Sequence, residues 1–262
     1  MLAPTQLPQH YLDWNQIHGA PFGRKLSLPN WKKRFASAEG INRLKGPFAI
    51  QPNNSTREFE YPWAFEVGKL SPGMSVLEIG GGLAGFQFVL NSFGCRVVNV
   101  DPGMAAEGVG WPCDQASMEK LNKRFNSNVE LRNTTIENAD LPENHFDRAF
   151  SISVIEHLPR TNIENVMRHV HRSLKSGGLF ILTVDLFLNL HPFCSRTVNE
   201  HGQNQDVRWM CESANWEVLV GTSSELYGFK EFDKDIIQSN LEQYLIGRPY
   251  PTLVQCVVLR KL

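Results

Sequence analysis

A glycine-rich turn over residues 78–85 is the part of this 262-residue chain best suited to hold a ligand. Gly80, Gly82 and Gly85 have the spacing G-x-G-x-x-G between a short apolar strand and an apolar helical segment. Glycine lets the backbone approach a ligand closely, and the start of a helix directs N–H groups at it. The acidic Glu78 lies two residues before the first glycine. An anion there favours a ligand with a cationic amino-acid part over a pyrophosphate.

A second acidic residue, Asp101, ends the next predicted strand, 21 residues after Gly80. A carboxylate in this place can accept two hydrogen bonds from ribose hydroxyls. The glycine spacing alone is a weak signal, because such turns also serve packing. Here the turn follows a predicted strand and opens a predicted helix, which strengthens the interpretation. Together, Glu78, the glycines and Asp101 predict a site for a ligand with a ribose and a cationic part.

Alternating strands and helices from residue 74 onward position these side chains. Strands are predicted at 75–79, 96–100, 128–132, 146–152, 179–184, 216–220 and 253–259. This alternation predicts an α/β fold, with a Rossmann-like, seven-stranded, mostly parallel sheet and helices on both faces. In such sheets ligands bind beyond the carboxyl ends of the strands, where the glycine turn and Asp101 fall.

The first 70 residues lack the regular alternation of strands and helices. We predict that residues 1–70 form a helical or irregular N-terminal extension or lid, and residues 71–262 the ligand-binding domain. Frequent prolines indicate an irregular segment over 1–30 with short helical pieces at most. Apolar spacing predicts helices over 30–46 and 58–70, with Pro62 near the first turn of the second. Trp14 and Trp31 lie in the part that we expect to cover the ligand.

Composition excludes several classes of protein. A net charge of −1 lacks the basic footprint of a nucleic-acid-binding protein, and the basic cluster at residues 32–34 indicates a solvated helix face. Five scattered cysteines without a C-x-x-C pair predict a reduced intracellular protein without structural zinc. The start of the chain lacks the features of a signal peptide, and no apolar run reaches about 18 residues. We therefore expect a cytoplasmic protein without a membrane span.

Four motifs, in this order, resemble those of class I S-adenosylmethionine-dependent methyltransferases of the small-molecule branch. The motifs are VLEIGGGLAG at 76–85, VVNVDP at 97–102, FDRAFSISVIEHLP at 146–159 and LKSGGLFILT at 174–183. The resemblance covers roughly residues 72–262. It implies that S-adenosylmethionine is the cofactor, S-adenosylhomocysteine the product, and a small molecule the methyl acceptor.

The resemblance also assigns cofactor contacts residue by residue. It places Gly80 and Gly82 against the methionyl part of the cofactor, and Glu78 near the ammonium group. It implies that Asp101 holds the ribose. Ser153 faces the cofactor from the floor of the pocket.

Two parts of the cofactor, the adenine and the carboxylate, match the family motifs less directly. Thr135 stands where the family often has an aspartate that reads the adenine amino group, and Glu137 follows two residues later. Ile136, between them, has an apolar side chain suited to an adenine face. We assign Ile136 and Glu137 to the cofactor and leave open which side chain reads the adenine. At the opposite end, Tyr61 and Arg57 are candidates to contact the cofactor carboxylate.

Methyl transfer from a sulfonium requires mostly in-line positioning, and a general base only where the acceptor is protonated. The candidates for a base are His157, Asp185, His191 and His201. We favour His157 and Asp185, because both follow predicted strands at the ligand edge of the sheet. The competing interpretation is that Glu156 and His157 order the loop before the next helix, and that Asp185 is a turn residue. The ten-residue spacing of His191 and His201 matches no usual metal site, so no metal is expected.

Two other functions compete with methyl transfer. A nicotinamide-dependent oxidoreductase shares the G-x-G-x-x-G turn and Asp101, but does not account for Glu78 or the VIEH segment at 154–157. A non-catalytic, cofactor-binding partner subunit would retain the fold without the chemistry. The acceptor itself stays open. Polar amides in 189–205 suit a polar metabolite or sugar, whereas Phe187 and Phe193 suit a planar or lipophilic one.

Overall fold

The computed structural model describes residues 1–26, 38–107 and 110–262. Within these ranges seven strands form one sheet of order β3-β2-β1-β4-β5-β7-β6. The strands are β1 (Ser75–Ile79), β2 (Arg96–Val100), β3 (Glu130–Arg132), β4 (Phe146–Ile152), β5 (Leu174–Phe187), β6 (Trp216–Val220) and β7 (Thr252–Lys261).

The first five strands are parallel, and β7 runs antiparallel to both β5 and β6. The predicted fold class is therefore confirmed. Strand β5 is longer than the predicted 179–184, because β7 pairs with it continuously from Leu179–Arg260 to Phe187–Thr252. Strand β3 is shorter than predicted, because it is an edge strand that pairs with β2 over only three residues.

Helices cover both faces of the sheet. They are α1 (Gln9–His18), α2 (Ala38–Lys45), α3 (Arg57–Val67), α4 (Gly85–Ser92), α5 (Gln115–Phe125), α6 (Arg160–Ser173), α7 (Arg208–Glu212) and α8 (Lys234–Ser239). Short 3-10 turns lie at Pro47–Ala49, Gly103–Ala105, Ile136–Asn138, Ile155–His157 and Leu241–Gln243. Side chains alternate across the sheet, so Val76 packs in the cluster with α1, α3, α4 and α5, and Leu77 in the cluster with α6 and α7.

The N-terminal region is more regular than its prolines suggest. Where an irregular segment is predicted, α1 forms a ten-residue helix that begins directly after Pro8, a residue tolerated at a helix start. Tyr11 buries its ring against Phe59 of α3, with ring centroids 5.6 Å apart. Of the predicted helix over 30–46, residues 38–45 form α2. Residues 27–37, with Trp31 and the basic cluster, lie outside the described residues.

Pro62 lies in the middle of α3 and not near its first turn, so the predicted placement is wrong. A proline has no N–H, so the carbonyl four residues earlier, that of Glu58, loses its helical donor. The side-chain amide of Asn15 in α1 donates to that carbonyl at 2.7 Å. The interrupted hydrogen bond therefore becomes a contact between two helices, which lets the helix continue through the proline.

All five cysteines are free thiols, and Cys194 alone among them is exposed. In the three described ranges, none of the helices combines the length and the apolar character that crossing a bilayer requires.

Candidate functional site

A cavity of about 260 Å³ lies at the carboxyl ends of β1, β2 and β4. The glycine turn, the end of β2 and the residues after β4 form its floor. Residues 51–54, two side chains of α3 and residues 249–250 complete its walls. The N-terminal 70 residues therefore contribute directly to the site. The proposed division of the chain at residue 70 stays a prediction.

The glycine turn is held rigidly at the end of the sheet. Gly80 and Gly82 have φ values of 68° and 52°, in the left-handed region that favours glycine. A Cβ on Gly80 would lie 2.5 Å from Cγ1 of Val154, so the residue type is also required by close packing against the segment after β4. Gly80 and Gly81 line the cavity, whereas Gly82 turns away and donates its N–H to Asp101 at 2.7 Å.

Asp101 joins the turn to the loop after β2. Its two carboxylate oxygens accept the N–H groups of Gly82 and Gly103, both at 2.7 Å. The side chain lines the cavity and is 7% exposed. Burial raises its pKa, and the two backbone donors oppose this shift. Each oxygen keeps a further acceptor position, which suits a pair of ribose hydroxyls.

Glu78 is an incompletely satisfied acid at the wall of the cavity. It is 2% exposed, and its Oε2 atom has no hydrogen-bond partner within the described part of the chain. Burial, and then the nearby Asp101, raise its pKa to about 8. A ligand cation on this side of the cavity would supply the missing partner and stabilise the ionised form.

On the opposite side of the cavity, Glu60 of α3 is fully buried and well satisfied. Its Oε1 atom accepts from Ser153 Oγ and Thr183 Oγ1, each at 2.6 Å, and its Oε2 atom pairs with Nη1 of Arg57. Ser153 has a φ of 46°, a costly conformation for a non-glycine residue, and Arg57 donates to its hydroxyl at 2.8 Å. These contacts tie α3 to the ends of β4 and β5.

Asp185 lies behind the cavity wall, two residues before the end of β5. It is 0% exposed and receives two long contacts, from Ser153 Oγ at 3.2 Å and from Tyr250 Oη at 3.4 Å. Burial raises its pKa well above the usual range, and Glu156 and Glu60 add to this shift. The side chain reaches the cavity through Ser153 and Tyr250, which both line it.

Glu156 and His157 follow β4 in a single helical turn. Glu156 is 0% exposed, and neither of its carboxyl oxygens has a hydrogen-bond partner in the part of the chain that the structure describes. Burial raises its pKa to about 8, although backbone N–H groups of residues 156 and 185 lie near enough to oppose the shift. His157 lines the cavity with its pKa lowered by burial. Its Nδ1 atom bonds the carbonyl of His201, so Nε2 carries the lone pair, 3.7 Å from Glu156 Oε1.

The two remaining cofactor candidates of α3 lie in the wall. Tyr61 is buried, lines the cavity and donates its hydroxyl to Asn53 Oδ1 at 3.0 Å. Arg57 also lines the cavity, with its side chain 12% exposed and paired to Glu60. Both roles toward a cofactor carboxylate stay predictions.

Several predicted residues lie apart from the cavity wall. Ile136 is buried in the core on the α6 side of the sheet, and Glu137 is exposed next to it. Their assignment to the adenine stays a prediction. Of the other two base candidates, His201 lines the cavity and His191 is exposed beyond it. Trp14 packs against Phe48 in the N-terminal layer.

Other cavity residues have no counterpart in the sequence analysis. Trp111 lines the cavity and is 45% exposed, at the side of Asp101 and Gly103. Trp111 stands between Gly110 and Pro112 in a predicted loop, and this sequence context is what could have marked it as an exposed aromatic residue. Tyr250 has no such signal, because it lies in the loop just before β7, far from every motif. Among the described residues, no group of three or more His, Cys, Asp or Glu side chains is arranged to hold a metal ion.

Comparison with known proteins places this geometry in context. A family described as "Methyltransferase domain" matches residues 57–220. A phosphoethanolamine N-methyltransferase of Caenorhabditis elegans is 28% identical over 118 residues, which is 45% of this chain and 25% of that protein. A cyclopropane-fatty-acyl-phospholipid synthase of Escherichia coli is 23% identical over 232 residues, 80% of this chain and 56% of that protein.

The chain thus spans between a quarter and just over half of the length of these relatives. Among solved structures, a [4+2]-cyclase, SpnF, superimposes with a TM-score of 0.53 at 15% identity, covering 84% of this chain and 90% of that one. This likeness supports the fold.

Proposed function

The chain belongs to the methyltransferase-domain family, and from this premise we propose that it transfers the methyl group of S-adenosylmethionine to a small-molecule acceptor. The observation that carries the proposal is the cavity at the carboxyl edge of the sheet. Its floor holds the left-handed glycine turn, the partly unsatisfied Glu78 and the ribose-type acid Asp101. A site of this kind is where open α/β sheets bind nucleoside ligands.

The residues present fit this cofactor. Gly80 lines the cavity with backbone atoms alone, and the open acceptor atom of Glu78 suits an ammonium group. Asp101 holds the ribose, and Tyr61 lies at the carboxylate end. When bound, S-adenosylmethionine supplies a methyl group on a positively charged sulfur, ready for displacement by a nucleophile. Ile136 and Glu137 are the proposed adenine contacts.

We assign proton handling to the other end of the cavity. His157 is neutral because burial lowers its pKa, and its Nε2 lone pair is free to accept a proton from a bound acceptor. Asp185 acts through Ser153 and Tyr250, which it contacts, and Ser153 faces the cofactor. An acceptor that is already deprotonated needs only the positioning that these side chains provide.

Calorimetry with S-adenosylhomocysteine is the first test. We expect saturable binding to the intact chain, and a loss of at least about tenfold in affinity for Asp101→Ala, which removes two charge-assisted contacts. Glu119→Ala, at an exposed position on α5, serves as the matched control. An S-adenosylhomocysteine-forming assay over a panel of small acceptors then tests transfer. Absence of cofactor binding would refute the proposal.

A second candidate is a protein that binds the cofactor without consuming it. A solved structure of this fold is described as a [4+2]-cyclase, so the architecture also serves a protein named for different chemistry. Tight binding of S-adenosylhomocysteine, combined with no turnover across oxygen, nitrogen and carbon acceptors, would favour this candidate. Saturable binding of NADH would instead favour a nicotinamide oxidoreductase.

We further propose that the activity is cytoplasmic and involves no nucleic acid. The support is the set of free thiols, four of which are buried, and the nearly neutral net charge of −1. Fractionation of the native host cell, followed by detection of the protein, would test the location.

A further inference from the structure

Three carboxyl side chains are completely buried behind one wall of the cavity. Glu60, Glu156 and Asp185 are each 0% exposed, and they come from α3 and from the segments that follow β4 and end β5. Within the described residues, the charged and titratable groups that interact with them are Arg57, Tyr61, His157, Tyr250 and Cys256. Buried carboxyl groups require donors or protons, because an unpaired buried charge is costly.

The donors are unequally shared among the three acids. Glu60 accepts hydrogen bonds from Arg57, the Ser153 hydroxyl and the Thr183 hydroxyl, so its charge is compensated. The Ser153 Oγ atom lies closer to Glu60 Oε1, at 2.6 Å, than to Asp185 Oδ1, at 3.2 Å, and it has a single proton to donate. Asp185 is therefore left with the long contact from Tyr250, at 3.4 Å.

Glu156 also lacks hydrogen-bond donors. Among the described residues, neither of its carboxyl oxygens has a hydrogen-bond partner, and His157 Nε2, 3.7 Å from its Oε1 atom, carries a lone pair and not a proton. Asp185 therefore has only two long hydrogen bonds, and Glu156 has none from the described residues. This arrangement points to a donor-rich, positively charged group supplied from outside.

The cavity gives such a group access to this wall. Ser153, His157 and Tyr250 all line the cavity, and each contacts one of the two donor-poor acids. The ring of Tyr250 stacks on His201, with centroids 4.0 Å apart, so an aromatic surface borders the same corner. Aromatic faces attract cations, which adds to the effect of the acids.

We propose that the methyl acceptor carries an ammonium group, which binds at the Ser153–Tyr250 corner of the cavity with Asp185 and Glu156 as its compensating charges. The inference rests on the proposed function and names the substrate class of that site. An ammonium group brings one positive charge and three donors to the wall behind which these two acids lie. A neutral alcohol of the same shape supplies one donor and no charge, and an anionic acceptor would be repelled.

Paired probes test this directly. The chain is saturated with S-adenosylhomocysteine, and calorimetry compares 2-phenylethylamine with 2-phenylethanol, and ethanolamine with ethylene glycol. We expect each amine to bind at least about tenfold more tightly than its hydroxyl partner, the ratio expected for charged hydrogen bonds. Equal binding within the pairs, a preference for the alcohols, or no binding of either amine would overturn the proposal.

Two variants connect the preference to the acids. Asp185→Asn and Glu156→Gln keep the shape of each side chain and remove the charge, so we expect the amine preference to fall at least about tenfold in each. Glu164→Gln, exposed on α6, should leave the preference unchanged. Thermal unfolding of each variant verifies folding. If both variants are folded and keep the full amine preference, the acids do not bind the ammonium group.

The calorimetric titration of S-adenosylhomocysteine separates this proposal from the proposed function. Cofactor binding without amine preference overturns the substrate class and leaves methyl transfer intact. Absence of cofactor binding refutes the proposed function itself.

Discussion

At the scale of single residues, the site is built around acids that the fold buries before any ligand is present. Glu78 faces Asp101, and both have raised pKa values because burial disfavours their charged forms. Asp101 is partly compensated by two backbone donors, whereas Glu78 keeps an unpartnered oxygen. Burying two neighbouring acids lowers the stability of the unliganded fold, which is expected of a binding site rather than of a structural core.

The pH dependence of stability should reveal Glu78. An acid with a pKa near its ordinary value when unfolded and about 8 when folded is protonated only in the folded state between these values, so stability falls as pH rises through this window. Glu78→Gln removes the effect. We expect the variant to gain stability relative to the parent, by on the order of 4 kcal/mol between about pH 5 and pH 8.

Urea unfolding of both unliganded proteins at several pH values measures this difference. Parallel pH profiles would show that Glu78 is ionised in the folded chain. Saturation with S-adenosylhomocysteine provides a further control, because an ammonium group beside Glu78 lowers the pKa and should flatten the profile of the parent protein.

At the scale of elements, the turn between β1 and α4 is fixed by its contact with the segment after β4. Gly80 has a positive φ, and a Cβ atom added to it would overlap the side chain of Val154. The two requirements can be separated, because Gly177 has a similar φ of 76° with nothing within 4 Å of its Cβ position.

We expect Gly80→Ala to cost about 1–3 kcal/mol more than Gly177→Ala, since only the former adds overlap to backbone strain. Cofactor affinity should fall in the first variant alone. Combining Gly80→Ala with Val154→Ala removes the clash and should recover part of the loss. Chemical denaturation and calorimetry measure both quantities, and equal costs at the two glycines would contradict the packing explanation.

The contact between α1 and α3 gives a second prediction at this scale. Asn15→Ala leaves the Glu58 carbonyl without a donor, because Pro62 has no N–H to offer, and should cost about 1–3 kcal/mol. The neighbouring exposed Gln16→Ala should stay within about 0.5 kcal/mol of the parent.

A double-mutant cycle with Pro62→Ala isolates the cause. Alanine restores the helical N–H, so the cost of Asn15→Ala should shrink in that background. Additive costs would mean that Asn15 stabilises the chain through its packing alone.

At the scale of the whole molecule, ligand binding should be visible in thermal unfolding. Binding at a hundredfold excess over the dissociation constant adds about 2.7 kcal/mol, which corresponds to a rise of roughly 5–11 °C in Tm for a domain of this size. We expect this rise with S-adenosylhomocysteine and not with NADH. Asp101→Ala should show a much smaller rise at the same concentration, and an equal rise would mean that the ligand binds elsewhere.

Prediction from sequence succeeded where the determinants are consecutive in the chain. The alternation of strands and helices defined the sheet, and the glycine turn and Asp101 fell at the cavity because strand ends share one edge. The motifs also identified the family correctly. Local rules fail at Pro62 and at the prolines before α1, because tertiary contacts such as that of Asn15 satisfy groups that those rules leave unpaired.

The acceptor end of the site was harder to predict, because its residues meet only through long-range packing. Glu60 bonds Thr183, 123 residues away, and Tyr250 reaches Asp185 across 65 residues. Neither pair has a local pattern that marks it as functional. The adenine contacts also stay open, since Ile136 and Glu137 lie off the cavity wall and Trp111 lies on it.

The cavity walls have a consequence for the order in which the chain is synthesised. The side-chain oxygen of Asn54 accepts the N–H of Arg248 at 2.9 Å, a contact between residues 194 positions apart. Residues 51–54 and 249–250, which this contact joins, form walls of the cavity. Synthesis proceeds from the N-terminus at roughly 5–20 residues per second, so the first wall emerges from the ribosome many seconds before its counterpart. A nascent chain that lacks residues 248–250 should therefore hold the nucleoside floor without a closed acceptor chamber. A closed site for the acceptor is then available to the finished molecule and not to its synthesis intermediates.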